Sequence, residues 1–95
     1  MSPQVKHIAD RILPILRKHG VKRAGVFGSI VRGEGTEQSD VDVLVELPPG
    51  LSLLDFIGIK LELEQLLGRK VDLVEYAGLE WRIRERILSE EIPIL

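Results

Sequence analysis

The order of apolar and polar residues predicts an α/β fold: one domain spanning residues 1–95, with a three-stranded mixed sheet and about four helices. Three observations predict it. Two long stretches repeat their apolar residues at helical spacing. Three short runs are rich in Val and other strand formers. Glycines and prolines punctuate the junctions between them.

The first stretch holds Val5, Ile8, Ala9, Ile12, Leu13 and Leu16, which share one side of a helix. Ser2-Pro3 can open it, with Ser as cap and Pro in the first turn. Gly20 can end it in a left-handed conformation. Pro14 lies inside the pattern and should kink or split the helix. Val21 to Phe27 reads as the first strand, closed by Gly28. Ser29 to Arg32 could form a short helical turn, and Gly33 to Ser39 a polar loop. Asp40 to Leu47 alternates and is the clearest strand, stopped by Pro48-Pro49-Gly50.

Ser52 with Asp55 three residues on forms a capping-box pattern. The helix it opens should run to about Leu67, with Gly68 as its stop. Leu53, Phe56, Ile57, Leu63, Leu66 and Leu67 supply its apolar face, and Gly58 should weaken it. Arg69 to Tyr76 is the third strand. Leu79 to Ser89 is the last helix, with Ile83, Ile87 and Leu88 inward. The apolar tail Ile92-Pro93-Ile94-Leu95 could dock as an edge strand or meet another chain.

Composition narrows the class. Apolar residues make up 44% and aromatics 4%, so the core must be mainly Leu, Ile and Val. The absence of Cys excludes disulfides and Cys-based zinc sites and fits a reducing compartment. No apolar run approaches the roughly 20 residues of a membrane span, and no signal-peptide core is present. A cytoplasmic location without membrane contact is expected. The net charge of −2 argues against direct nucleic-acid binding, although Arg17-Lys18, Lys22-Arg23, Arg69-Lys70 and Arg82-Arg84-Arg86 cluster. Those runs read as solvated surface. His7 and His19 belong to the first helix and suit surface or helix-end charge roles better than metal binding.

The chemistry concentrates between residues 28 and 42: Gly28-Ser29, ten residues, then Asp40-Val41-Asp42. On a strand, Asp40 and Asp42 share one face with Cβ atoms roughly 7 Å apart, while Val41, Val43 and Val45 take the other. Two such carboxylates repel unless a cation lies between them, and magnesium prefers carboxylate and phosphate oxygens. Manganese suits the same oxygen ligands. A glycine after a strand lets the backbone turn tightly and approach a ligand. If Ser29 starts a helical turn, its free N–H groups would attract phosphate. Gly28-Ser29 and Asp40-Asp42 meet if the first two strands are antiparallel. The helix before Lys70-Val71-Asp72 is long enough for a crossover, which would set strand three parallel to strand two and put Asp72 beside the pair. There it could deprotonate an attacking hydroxyl while bridging a second metal.

This combination resembles the minimal nucleotidyltransferase family, within the DNA polymerase beta-like superfamily. The resemblance rests on Gly28-Ser29, Asp40-x-Asp42 and Asp72 in Lys70-Val71-Asp72-Leu73-Val74. It extends to Val26-Phe27, Val31-Arg32-Gly33 and Arg84-Glu85-Arg86-Ile87-Leu88. It implies magnesium-dependent transfer of AMP from ATP to a hydroxyl, with Asp40, Asp42 and Asp72 holding metal and Gly28 and Ser29 holding phosphates. Arg32 is a further candidate phosphate contact. The resemblance also implies an antitoxin whose acceptor is a tyrosine of an all-helical HEPN ribonuclease toxin, since the chain has no second domain to hold an acceptor. The apolar tail and the helix bearing Trp81 are candidate partner surfaces, for a homodimer or a complex with the toxin. Two other readings stay open: a binding module that blocks a toxin sterically, and a subunit that modifies small molecules of the aminoglycoside type.

Overall fold

A computed structural model describes residues 1–95. The order is α1 (Pro3–Lys18), β1 (Arg23–Phe27), β2 (Val41–Glu46), α2 (Leu53–Leu67), β3 (Val71–Glu75), a 3-10 turn (Tyr76–Gly78), α3 (Trp81–Glu90) and β4 (Ile92–Pro93). The sheet order is β3-β2-β1-β4. β1 runs antiparallel to β2 and β4, and β2 runs parallel to β3 across the α2 crossover.

The α/β class and the mixed pairing of the first three strands match the sequence reading. The count does not, for there are four strands and three α-helices. The tail is the fourth strand: Ile92 and Pro93 lie opposite Val26 and Gly25 at the free edge of β1. Its neighbours extend the pairing, with Ile94 N–H donating to the Ala24 carbonyl and Ala24 N–H to that of Leu95. Pro93 fits because an edge strand can spare a donor. Residues 29–33 form hydrogen-bonded turns instead of a helix. Gly33, at φ 77°, turns the chain out of helical geometry within one turn.

The predicted helix ends hold. Ser2 Oγ accepts from Val5 N–H at 3.2 Å. Ser52 and Asp55 form the reciprocal capping box, at 2.9 and 3.1 Å. Gly68 closes α2 at φ 66°. Pro14 does not split α1, which is unbroken. Pro14 stands on the exposed side, where the Asp10 carbonyl it leaves unpaired can be hydrated.

The sheet has two unlike faces. One packs against α1 and α2 through 15 buried residues, including Ile12, Leu16, Val43, Ile59 and Leu63. Val41, Val43 and Val45 all point into it. The opposite face carries a cluster of four, Phe27, Leu44, Tyr76 and Ile87, beneath α3. Of the three residues expected to face inward from that helix, Ile87 is buried, Leu88 is partly buried and Ile83 is exposed. Leu53 and Ile57 of α2 are also exposed, because only the flank bearing Ile59 and Leu63 reaches the sheet.

Candidate active site

Strand register brings the predicted residues together. Phe27 lies opposite Asp42 across the antiparallel pair, so the next residue, Gly28, turns over the Asp42 side chain. Across the parallel pair, Asp42 lies opposite Asp72. Asp40 immediately precedes β2 at the same end. Three carboxylates, two from the start of β2 and one from β3, therefore share one sheet end.

Gly28 is required there. Its φ is 82°, and a Cβ on it would fall 1.9 Å from Asp42 Oδ2. Any larger residue would displace that carboxylate. Gly28, Ser29, Arg32, Asp40 and Asp42 line a cleft of about 490 Å³ together with Arg86, Ile87 and Glu90 of α3. That volume lies within the range of small-molecule sites, roughly 300–1,000 Å³. Asp72 stands outside the lining and is exposed.

The electrostatics favour a cation. Asp42 has its pKa pushed up to about 6, first by burial and then by the charges of Asp72 and Asp40. Such a group gains by binding positive charge. No three carboxylate or imidazole side chains converge closely enough to enclose a metal by themselves. Magnesium commonly takes one or two carboxylates and completes its shell with waters and substrate phosphates, which is the donor set that Asp40 and Asp42 offer.

The structure differs from the sequence reading at the phosphate donors. Gly28 N–H donates to Glu90 Oε1 at 3.0 Å. Arg32 is held on both sides, by Glu34 Oε2 at 3.0 Å and by Glu90 at 3.2 and 3.3 Å. Glu90 was not legible as a site residue, because it lies 62 positions from Gly28 on the last turn of α3. Arg69 was read as solvated surface. It instead donates to the carbonyls of Ser39, at 2.7 and 3.1 Å, and Thr36, at 2.7 Å, pinning the loop that delivers Asp40. His19 caps α1 and meets Glu62 at 2.8 Å, away from the site, as its helix-end role implied.

Comparison with known proteins identifies the family. The model of the nucleotidyltransferase domain family matches residues 9–94. The chain belongs to that family. Members close to it include a Methanocaldococcus jannaschii protein provisionally named a protein adenylyltransferase, 47% identical over 96% of this chain and 98% of the relative. The Thermococcus cleftensis protein adenylyltransferase MntA is 48% identical over 81% of this chain and 78% of its own. A solved structure described as a provisional minimal nucleotidyltransferase superposes with TM-score 0.80 at 44% identity, covering 95% of this chain and 92% of that one. The nucleotidyltransferase fold also recurs at 20% identity, TM-score 0.80, in a toxin–antitoxin crystal structure with AMP-PNP, over 92% of this chain and 72% of that one. As in the sequence reading, then, this is a minimal nucleotidyltransferase. No helix is long and apolar enough to cross a membrane.

Proposed function

We propose that this chain is a protein adenylyltransferase that transfers AMP from magnesium-ATP to a tyrosine hydroxyl of a HEPN-type toxin, and so acts as its antitoxin. The observation that carries the reading is the register of Asp42 with Asp72 beneath the Gly28 turn. It puts Asp72 beside Asp42, which lines the cleft together with Asp40, and such a set of carboxylates suits metal binding and proton transfer.

Asp40 and Asp42 would hold magnesium, or manganese in its place. The bound metal supplies charge neutralisation at the phosphates and orients the triphosphate. Gly28 and Ser29 set the turn along which the phosphates lie. Asp72, exposed and paired in register with Asp42, would accept the proton of the acceptor hydroxyl. The acceptor oxygen forms a bond to the α-phosphorus, the bond from that phosphorus to the bridging oxygen breaks, and its electron pair leaves with pyrophosphate. This chemistry needs positioning and electrostatics rather than a covalent protein intermediate.

The acceptor assignment draws on relatives. Two are named protein adenylyltransferases, one of them provisionally. One structural neighbour, 17% identical with TM-score 0.74, is a tri-AMPylated Shewanella oneidensis HEPN toxin in complex with its minimal nucleotidyltransferase antitoxin. The test is mass spectrometry of a helical partner, found by co-purification, after incubation with this protein, ATP and magnesium. Additions in AMP-sized steps on tyrosine, absent with the Asp40→Ala/Asp42→Ala variant, are expected. An unmodified partner in an intact complex would leave a steric antitoxin instead.

A further inference from the structure

The three arginines of α3 have different surroundings. Arg82 pairs with Glu80 at 2.7 Å and lies over the Trp81 ring, 5.6 Å from its centre. Arg84 donates to the Tyr76 carbonyl at 2.6 Å, tying the helix to the preceding turn. Arg86 lines the cleft and has no carboxylate within 4.0 Å.

The other arginine of the cleft is Arg32, and its charge is already answered by Glu34 and Glu90. Arg86 is thus the cleft's one cation without an acidic partner, in the same cleft that Asp40 and Asp42 line. Its backbone is well fixed. The next residue, Ile87, is buried against Phe27 and Leu44, and Glu90 one turn on is bonded to Gly28 N–H. A guanidinium held there is always charged and can grip two phosphate oxygens at once.

We propose that Arg86 is the residue that binds the outer phosphates of the nucleotide and takes up the charge of pyrophosphate as it leaves. Metal on Asp40 and Asp42 would neutralise the opposite side of the triphosphate. Arg86 therefore distinguishes a nucleoside triphosphate from a monophosphate, whose single phosphate lies on the carboxylate side. This inference rests on the nucleotidyl-transfer reading.

The test is calorimetric titration of the full chain, in magnesium, with a non-hydrolysable ATP analogue, pyrophosphate and AMP. Wild type, Arg86→Ala and Arg86→Lys are compared. Arg86→Ala is expected to weaken the analogue and pyrophosphate about 10- to 100-fold while changing AMP less than about twofold. Arg86→Lys should recover part of that loss, since it restores the charge without the fork. Equal weakening of AMP and the analogue would mean that Arg86 merely shapes the cleft, and would overturn the proposal. Unchanged affinity for all three would overturn it too, while leaving nucleotidyl transfer standing. A wild-type chain that binds no triphosphate at all would instead defeat the transfer reading, and this inference with it.

Discussion

The sheet face under α1 and α2 buries 15 apolar residues in one cluster, whereas the face under α3 buries four and carries the carboxylates. The first face has no polar group to satisfy and can be packed for stability alone. The second must leave a cleft open, hold like charges together and admit a ligand, so little is left there for packing. Stability and chemistry are thus separated by the thickness of one sheet, and changes on the two faces should have opposite signatures.

The sharpest way to break that comparison is the Asp40→Ala/Asp42→Ala double substitution. It should reduce AMP transfer by at least about 10³-fold, since it removes the residues expected to hold the metal. The melting temperature should not fall, because neither residue belongs to a core cluster. Activity and thermal unfolding measured on one preparation check both halves. On the other face, Leu63→Ala should do the reverse. Leu63 is fully buried, and its truncation should cost about 2–5 kcal/mol. For a domain of this size each kcal/mol lowers the melting temperature by roughly 4–8 °C. Specific activity measured well below the melting transition should stay near wild type.

Gly28→Ala tests the seam between the faces. The left-handed φ costs a non-glycine residue about 1–2 kcal/mol, and the new Cβ collides with the Asp42 carboxylate. Stability should drop by about that amount, and activity by about 10²-fold, because a carboxylate displaced by an ångström no longer positions metal. Retained activity would show that the turn, and not the close approach, is what the glycine serves. Arg69→Ala should have a smaller effect, about tenfold in activity with little loss of stability, since it frees the loop before Asp40 without touching either core.

These contrasts also mark what the sequence could and could not disclose. The carboxylates and the Gly28 turn were legible because their geometry is local: alternation on β2 fixes which face Asp42 takes, and the α2 crossover fixes the direction of β3. The Val-rich alternation likewise announced the thick core. What stayed hidden depends on tertiary placement. Nothing in Ile92-Pro93 says that it will pair with β1 rather than with another molecule, since an edge is recognised only once it exists. Nothing in the last turn of α3 says that Glu90 will reach Gly28 and Arg32. Arg69 looked like one more surface cation because its acceptors are backbone carbonyls, which carry no mark in the sequence. The turn expected at Ser29 forms, with Arg32 N–H donating to the Gly28 carbonyl, but does not grow into a fourth helix because Gly33 takes a left-handed φ.

The smallest predicted effect concerns the thin face alone. Asp42 has a pKa of about 6 in the folded chain against an ordinary 3.8, with burial the main cause and the charges of Asp72 and Asp40 next. The folded protein therefore holds more protons than the unfolded one between those two values. Stability must fall as pH rises from about 4 to about 6, and the deficit is complete above that window. A difference of this size amounts to about 3 kcal/mol for a dry site, and partial solvent access reduces it to about 1–2 kcal/mol. Asp42→Asn removes the charge and leaves the shape. In metal-free buffer at pH 7.5 it should raise the melting temperature by several degrees, and at pH 4 the two proteins should melt together more closely. The same variant should be inactive. A protein stabilised by the change that inactivates it would show that the thin face holds its carboxylates at a standing cost, which a bound cation would relieve. An Asp42→Asn variant no more stable at pH 7.5 than at pH 4 would mean that water already screens these charges, and the two faces would then differ in packing alone.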